Sequence, residues 1–227
     1  MTHNVIAIDG PAGSGKSTVS RHVASTLGWI MLDTGAMYRA ITWAVLQAGV
    51  DPAESKRVGD IARESIVEID TQADASSVYV NGIDVTSAIR SAEVTSAVSA
   101  VSAAAEVREL LVELQRDAVL KSGHGIVVEG RDIGTVVLPD AQLKVFLTAD
   151  PRTRASRRSA ELGQNGSEEE LKKMQLNIEE RDFKDSSREV SPLRAASDAV
   201  IIDTTDMKLD QVVQEICQLA RKKYSLT

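Results

Sequence analysis

The junction between residues 5 and 19 limits what this chain can fold into more than any other stretch. Val5-Ile6-Ala7-Ile8-Asp9 is an apolar, β-branched run without alternation, the pattern of a strand buried on both faces. Gly10-Pro11-Ala12-Gly13-Ser14-Gly15-Lys16-Ser17 follows at once and fits G-x-x-x-x-G-K-[ST]. Residues 16–27, beginning with Lys16, Ser17, Thr18 and Val19, read as a helix that stops at Gly28. A strand that turns through a glycine-rich loop into a helix belongs to a parallel α/β sheet. The glycines let successive backbone N–H groups converge on an anion, and the helix N-terminus adds partial positive charge. In such a loop Lys16 reaches the outer phosphates of a nucleoside triphosphate, and the Ser17 hydroxyl binds Mg2+.

The remaining sequence repeats the alternation. Apolar runs at 29–32, 126–128, 143–147 and 199–203 predict four more buried strands. Helical patterns are read over 36–48, ending at Gly49, over 168–185 and over 208–223, and Pro151 is placed to start another. The clearest long helix spans 103–121, with Ala104, Val107, Leu111, Leu114 and Ala118 on one stripe. The fold class is therefore α/β: five parallel strands covered by helices on both faces. Residues 50–64 read as a polar connection with one short helix, and 91–100 carries small side chains throughout. Between about 65 and 86 the period changes to that of strands, and Asn81-Gly82 lies between two β-rich runs, a strong hairpin signal. This predicts a small antiparallel insert, expected over the strand C-terminal ends where ligands bind in α/β sheets. A polar break is expected from Gly163 to Gly166.

A net charge of −7 argues against a nucleic-acid partner, so local clusters of arginine carry more information than the total. The absence of an apolar leader or a membrane-length apolar run predicts no membrane association and a cytoplasmic location. The lone cysteine, Cys217, excludes an internal disulfide and reads as a core residue of the last helix. No exposed apolar helix stands out, so a monomer is expected.

Beyond the first loop, three features point to chemistry. Asp33-Thr34-Gly35-Ala36-Met37-Tyr38-Arg39 follows the second strand and offers a hydroxyl, a phenol and a guanidinium fit to clamp a phosphate. Glu129-Gly130-Arg131-Asp132 follows the third strand, where a carboxylate at a strand end can organise hydrated Mg2+. The helix over 168–188 has an apolar stripe, Leu171, Met174 and Ile178, that continues as Arg181, Asp185 and Arg188. A packed face that turns ionic needs partners or a bound ion. An Arg181–Asp185 pair leaves Arg188 without one, and an anion between the two arginines completes the set. Arg152, Arg154, Arg157 and Arg158 add a basic cluster; the last three share a helical face and read as a flap over phosphates. One triphosphate loop with several arginine sites implies two phosphorylated substrates and transfer between them. An ionised phosphate acceptor needs no strong general base, in keeping with His3, His22 and His124 forming no catalytic cluster.

These motifs together resemble the bacterial cytidylate kinases, within the nucleoside monophosphate kinases. The resemblance rests on residues 10–17, 33–39, Glu129 to Thr135, and Arg181-Asp182 with Asp185, Arg188 and Ser191-Pro192-Leu193, and spans nearly the whole chain. It implies Mg2+-dependent transfer of the ATP γ-phosphoryl group to CMP or dCMP. Gly10 to Thr18 would bind ATP, with Ser17 and Glu129 at the metal. Arg39, Arg131 and Arg188 would hold the acceptor phosphate, Arg181 and Asp185 its sugar–phosphate region, and Thr34 would sit near the ribose. Ser99, Arg108 and Asp132 would read cytosine, with Tyr38 the one aromatic nearby. Lys16, Arg131, Arg157 and Arg158 would serve the transfer itself. It also implies a core domain (1–35, 100–150 and 185–227), an acceptor-binding domain (36–99) and a lid (151–184). From the residues alone, a kinase of another small acceptor such as shikimate stays open. A guanine-nucleotide switch lacks its N-K-x-D motif here.

Overall fold

The computed structural model describes residues 4–71, 77–123, 125–161, 163 and 167–226. In chain order the elements are β1 (Val5–Asp9), α1 (Lys16–Leu27), β2 (Ile30–Asp33), α2 (Thr34–Gln47), α3 (Ser55–Glu64), β3 (Val67–Ile69), β4 (Val78–Val80) and β5 (Ile83–Asp84). Then come α4 (Ala92–Val101), α5 (Ala105–Lys121), β6 (Ile126–Gly130), β7 (Leu143–Thr148), α6 (Pro151–Glu161), α7 (Glu168–Ser186), β8 (Val200–Asp203) and α8 (Leu209–Tyr224).

Five strands form a parallel sheet in the order β2-β6-β1-β7-β8. β1 lies at the centre and all its residues are buried, which is why its sequence does not alternate. On one face Ile6, Ile8 and Val127 pack against Val19 and Val23 of α1 and Ile216 and Cys217 of α8. On the other, Ala7, Leu32 and Val128 pack against Met37 and Ile41 of α2 and Val107 and Leu111 of α5. Both faces are thus covered, as expected, and Cys217 is a core residue. Register aligns Asp33 with Glu129 and Asp9 with Gly130, so three strand ends carry their polar residues to one rim.

The antiparallel insert is present as a three-stranded sheet, β3-β4-β5. Asn81 (φ 50°) and Gly82 (φ 76°) are both left-handed, the geometry of a two-residue primed hairpin turn. Val78 and Val80 face Ala36 and Ala40 of α2, so the insert is built onto that helix.

Two local outcomes differ from the sequence pattern. Residues 92–101 form α4, because the Ser91 hydroxyl caps the Val94 N–H and Val94, Val98 and Val101 are buried at helical spacing. The inner face of α5 is Val107, Arg108, Leu111, Gln115 and Val119, with Leu114 and Ala118 only half-buried. Two polar residues hold inward positions that a count of apolar residues assigns elsewhere. In the expected polar break, Gly163 is described and residues 164–166 lie outside the described residues, as do His3 and His124.

Candidate active site

The loop from Gly10 to Gly15 joins β1 to α1. Gly13 has φ +72° and packs so closely on Arg154 that an added Cβ would lie 2.7 Å from its carbonyl oxygen. α1 begins after Gly15, which offers no side chain as a cap, so its first N–H groups are left for an anion. The Lys16 ammonium donates to Pro11 O at 2.8 Å. Withdrawal from solvent lowers its pKa, and the nearby Arg131 and Arg181 lower it further, against the pull of Glu129.

Beside the loop, Glu129 is buried, and its Oε2 has no partner among the described residues. Burial first, then the facing Asp33 carboxylate, raises its pKa; Lys16 and the adjacent Ser17 hydroxyl oppose this. The Thr34 hydroxyl is tied down, donating to Glu129 O at 2.7 Å. Asp9, at the end of β1, accepts from the Ile133 and Gly134 N–H groups, each at 2.8 Å, and burial pushes its pKa up to about 6.

Across the rim, arginines converge. Arg131 donates to Gly10 O at 2.9 Å and lies 3.4 Å from Asp185 and 3.7 Å from Asp182. Arg188 pairs with the other oxygen of Asp185, which is buried. Arg39 donates to Thr95 Oγ1 at 3.0 Å. The Arg181 Nε is buried without a partner among the described residues. Its pKa is pushed down to about 9, by burial and then by the charges of Arg131 and Arg39. Arg39 in turn is lowered by burial and then by Arg158. A guanidinium crowded by its own kind and short of acceptors is an anion site by its chemistry.

Further in, Arg108 and Asp132 form a buried ion pair. Arg108 also donates to Ser102 O at 3.1 Å and lies 5.3 Å from the centre of the Tyr38 ring. Burial pushes the Tyr38 phenol up to about 12. Its hydroxyl and both polar atoms of the adjacent, buried Gln115 have no hydrogen-bond partner among the described residues. Ser99 is half-buried on the last turns of α4, where its carbonyl accepts from the Ser102 hydroxyl at 3.1 Å.

The basic cluster of α6 fans out. Arg152 is exposed and pairs with Glu168 at 2.9 Å, Arg157 donates to Thr204 Oγ1 at 2.8 Å, and Arg158 meets Glu161 at 2.9 Å. Arg154 is buried; it donates to Ala149 O and Ala12 O, each at 3.0 Å, and pairs with Asp182. It therefore serves the loop as a structural tie, unlike a solvent-facing flap residue. Sequence reasoning left Asp9, Gln115 and Asp182 without a role. For Gln115 the available signal was an amide seven residues after Arg108 on the same helix face.

The cytidylate kinase family model matches residues 6–222. The chain belongs to the cytidylate kinase family. A cytidylate kinase of Mycobacterium leprae is 50% identical over 224 residues, covering 98% of each chain. One of Mycolicibacterium paratuberculosis is 50% identical over 220 residues, covering 96% of each. One of Lactobacillus gasseri is 47% identical over 218 residues, covering 96% of this chain and 94% of that one. Membership of the cytidylate kinase family agrees with the resemblance carried by the motifs. Among the described residues, no helix is long and apolar enough to cross a membrane. None of their His, Cys, Asp and Glu side chains gather in threes as a metal cage.

Proposed function

We infer that this chain transfers the γ-phosphoryl group of ATP to CMP or dCMP, releasing ADP with CDP or dCDP. The observation that carries this reading is the contiguity of three sets: the Lys16 loop, the arginines at 39, 131, 181 and 188, and the buried Arg108–Asp132 pair. The first suits a triphosphate, the second an acceptor phosphate, and the third a polar base.

In this reading Gly10 to Thr18 cradle ATP. Lys16 and Arg131 face the transferred group from either side, with Arg157 and Arg158 closing from α6, and they neutralise charge that develops there. Arg39, Arg131 and Arg188 hold the acceptor phosphate, with Arg181 and Asp185 at its sugar end and Thr34 near the ribose. The acceptor phosphate is already ionised, so positioning and charge neutralisation suffice. Asp132 accepts from the cytosine N4 amine, and Arg108 and Ser99 donate to its O2 and N3. Uracil would set O4 against the carboxylate. Tyr38 lies against this set.

The Glu129 Oε2, without a partner among the described residues, and the Ser17 hydroxyl beside it are hard oxygen donors that suit Mg2+. A pair suffices, because Mg2+ keeps most of its water and shares phosphate oxygens. Bound there, the ion offsets phosphate charge. Residues 36–99 then form the acceptor-binding region and 151–184 the lid over the remaining core.

The test is ADP release by the purified protein with CMP, dCMP, UMP, AMP and shikimate. Turnover with CMP or dCMP, and far less with the others, is expected. Strong turnover with AMP or shikimate and none with CMP would overturn the reading.

A further inference from the structure

Both polar groups of one residue in the donor loop are held by a single ion pair from outside it. The Ala12 N–H donates to Asp182 Oδ1 at 3.0 Å. The Ala12 carbonyl accepts from Arg154 Nη1 at 3.0 Å, and that same nitrogen pairs with Asp182 Oδ2. Arg154 comes from α6 and Asp182 from α7, and both side chains are withdrawn from solvent, 8% and 16% exposed. Arg154 is itself fixed by its Nε bond to Ala149 O at 3.0 Å. Gly13, the next loop residue, lies hard against the Arg154 backbone. On its far side Asp182 is 3.7 Å from Arg131, which donates to Gly10 O. Gly10 and Ala12 are thus held by three charged residues, from α6, from α7 and from the segment just after β6, none of which belongs to the loop.

The placement on α7 gives this a purpose. Arg181 and Asp185 continue the packed face of that helix, and Arg188 follows just past its end at Ser186. Asp182 stands about 100° round the axis from Arg181, and from there it reaches the loop. One rigid helix therefore touches the acceptor cluster and the donor cradle at once.

We propose that Asp182 and Arg154 form a clasp that sets the conformation of the donor loop and couples it to the pose of α6 and α7. They are positioning residues: they act on ATP through the Ala12 peptide groups. The inference rests on the reading of residues 10–17 as the ATP cradle.

The test uses the whole chain with Asp182→Ala, Asp182→Asn, Arg154→Ala and the Asp182→Ala/Arg154→Ala pair. The Asn variant keeps an oxygen for the Ala12 N–H and removes the charge facing Arg154. In nucleotide-free Asp182→Ala, amide exchange at Ala12 should quicken about tenfold or more, since a charged acceptor is lost. In the same variant the KM for ATP should rise about tenfold while that for CMP moves less than about threefold. The double variant should cost little more than the worse single one, because the two residues act as a unit. Should Asp182→Ala fail to fold, Asp182→Asn carries the same two measurements with smaller changes in the same direction. Unchanged exchange at Ala12, an equal rise in both KM values, or additive losses in the double variant would overturn the clasp. Exchange reads the clasp without any nucleotide, so a protein inactive on CMP would refute the functional reading and leave the clasp to be judged at Ala12.

Discussion

Replacing Arg108 and Asp132 separately and together separates what their ion pair does for stability from what it does for a substrate. The side chains are 4% and 5% exposed, so each charge depends on the other. Arg108→Met leaves Asp132 buried without its counter-charge, and breaking such a pair from one side costs about 3–5 kcal/mol. Asp132→Leu leaves Arg108 with Ser102 O and the face of Tyr38. A cation over an aromatic ring recovers roughly 0.5–2 kcal/mol, so this variant belongs at the lower end of the range. For a chain of this size each kcal/mol lowers Tm by about 2–4 °C, giving losses of roughly 6–20 °C. In Arg108→Met/Asp132→Leu neither charge remains, and two apolar side chains of similar volume can fill the space. Stability should return to within about 1 kcal/mol of the parent. CMP-dependent ADP release should stay low in all three, because the groups proposed to read cytosine are gone. Urea titration with the ADP-release assay decides the matter. Single variants that each lose less than about 1 kcal/mol, or a double variant equal to their sum, would refute the argument from buried charge.

Three further outcomes are expected. Gly13→Ala forces a Cβ to within 2.7 Å of the Arg154 carbonyl at φ +72°, so ATP binding by calorimetry should weaken well before urea stability falls; unchanged affinity would count against this loop as the donor site. Burial pushes the Asp9 pKa up from its ordinary value of 3.8 to about 6, so the native state holds its proton more tightly than the unfolded state does. The parent's stability relative to Asp9→Asn should therefore be greatest below about pH 4 and decline by about 3 kcal/mol as pH rises through 6. Urea titrations of both proteins across that window check the sign, and a difference that grows with pH would contradict it. Arg188→Ala leaves Asp185 with Arg131 at 3.4 Å, so the fold should persist. The KM for CMP should rise roughly 10- to 100-fold, the worth of a charged hydrogen bond; lost stability with intact CMP kinetics would make Arg188 structural.

The sheet was readable because its information is local. Five apolar runs without alternation read as buried strands, and each forms a strand where its run predicts, though the edge strand β8 buries only Ile202 and leaves Ile201 exposed. The insert was readable from Asn81-Gly82 for the same reason, since the turn chemistry acts on neighbouring residues. α4 was less legible: its small residues become a helix through the Ser91 cap and the burial of Val94, Val98 and Val101 against partners distant in sequence. The rotated face of α5 shows a second limit. Arg108 points inward because Asp132 awaits it, Gln115 is buried beside Tyr38, and no periodicity of apolar residues registers such placements. The candidate site was legible residue by residue through its motifs, and the ties between the motifs were not. The 170 positions between Ala12 and Asp182 hide their hydrogen bond from any reading of neighbours, and Asp9 looked like the end of a strand until two N–H groups met its carboxylate.

The adjacency of β1 and β6 has a last consequence. Their C-terminal ends launch the donor loop and the Glu129–Asp132 segment, and Asp9 stands in register with Gly130. The spacing of those two launch points is thus the spacing of neighbouring strands, about 4.8 Å. That span is a ruler written in backbone hydrogen bonds and indifferent to side chains. The two points can shift along each other only in steps of the strand repeat, and a one-residue step would turn the core of the sheet inside out.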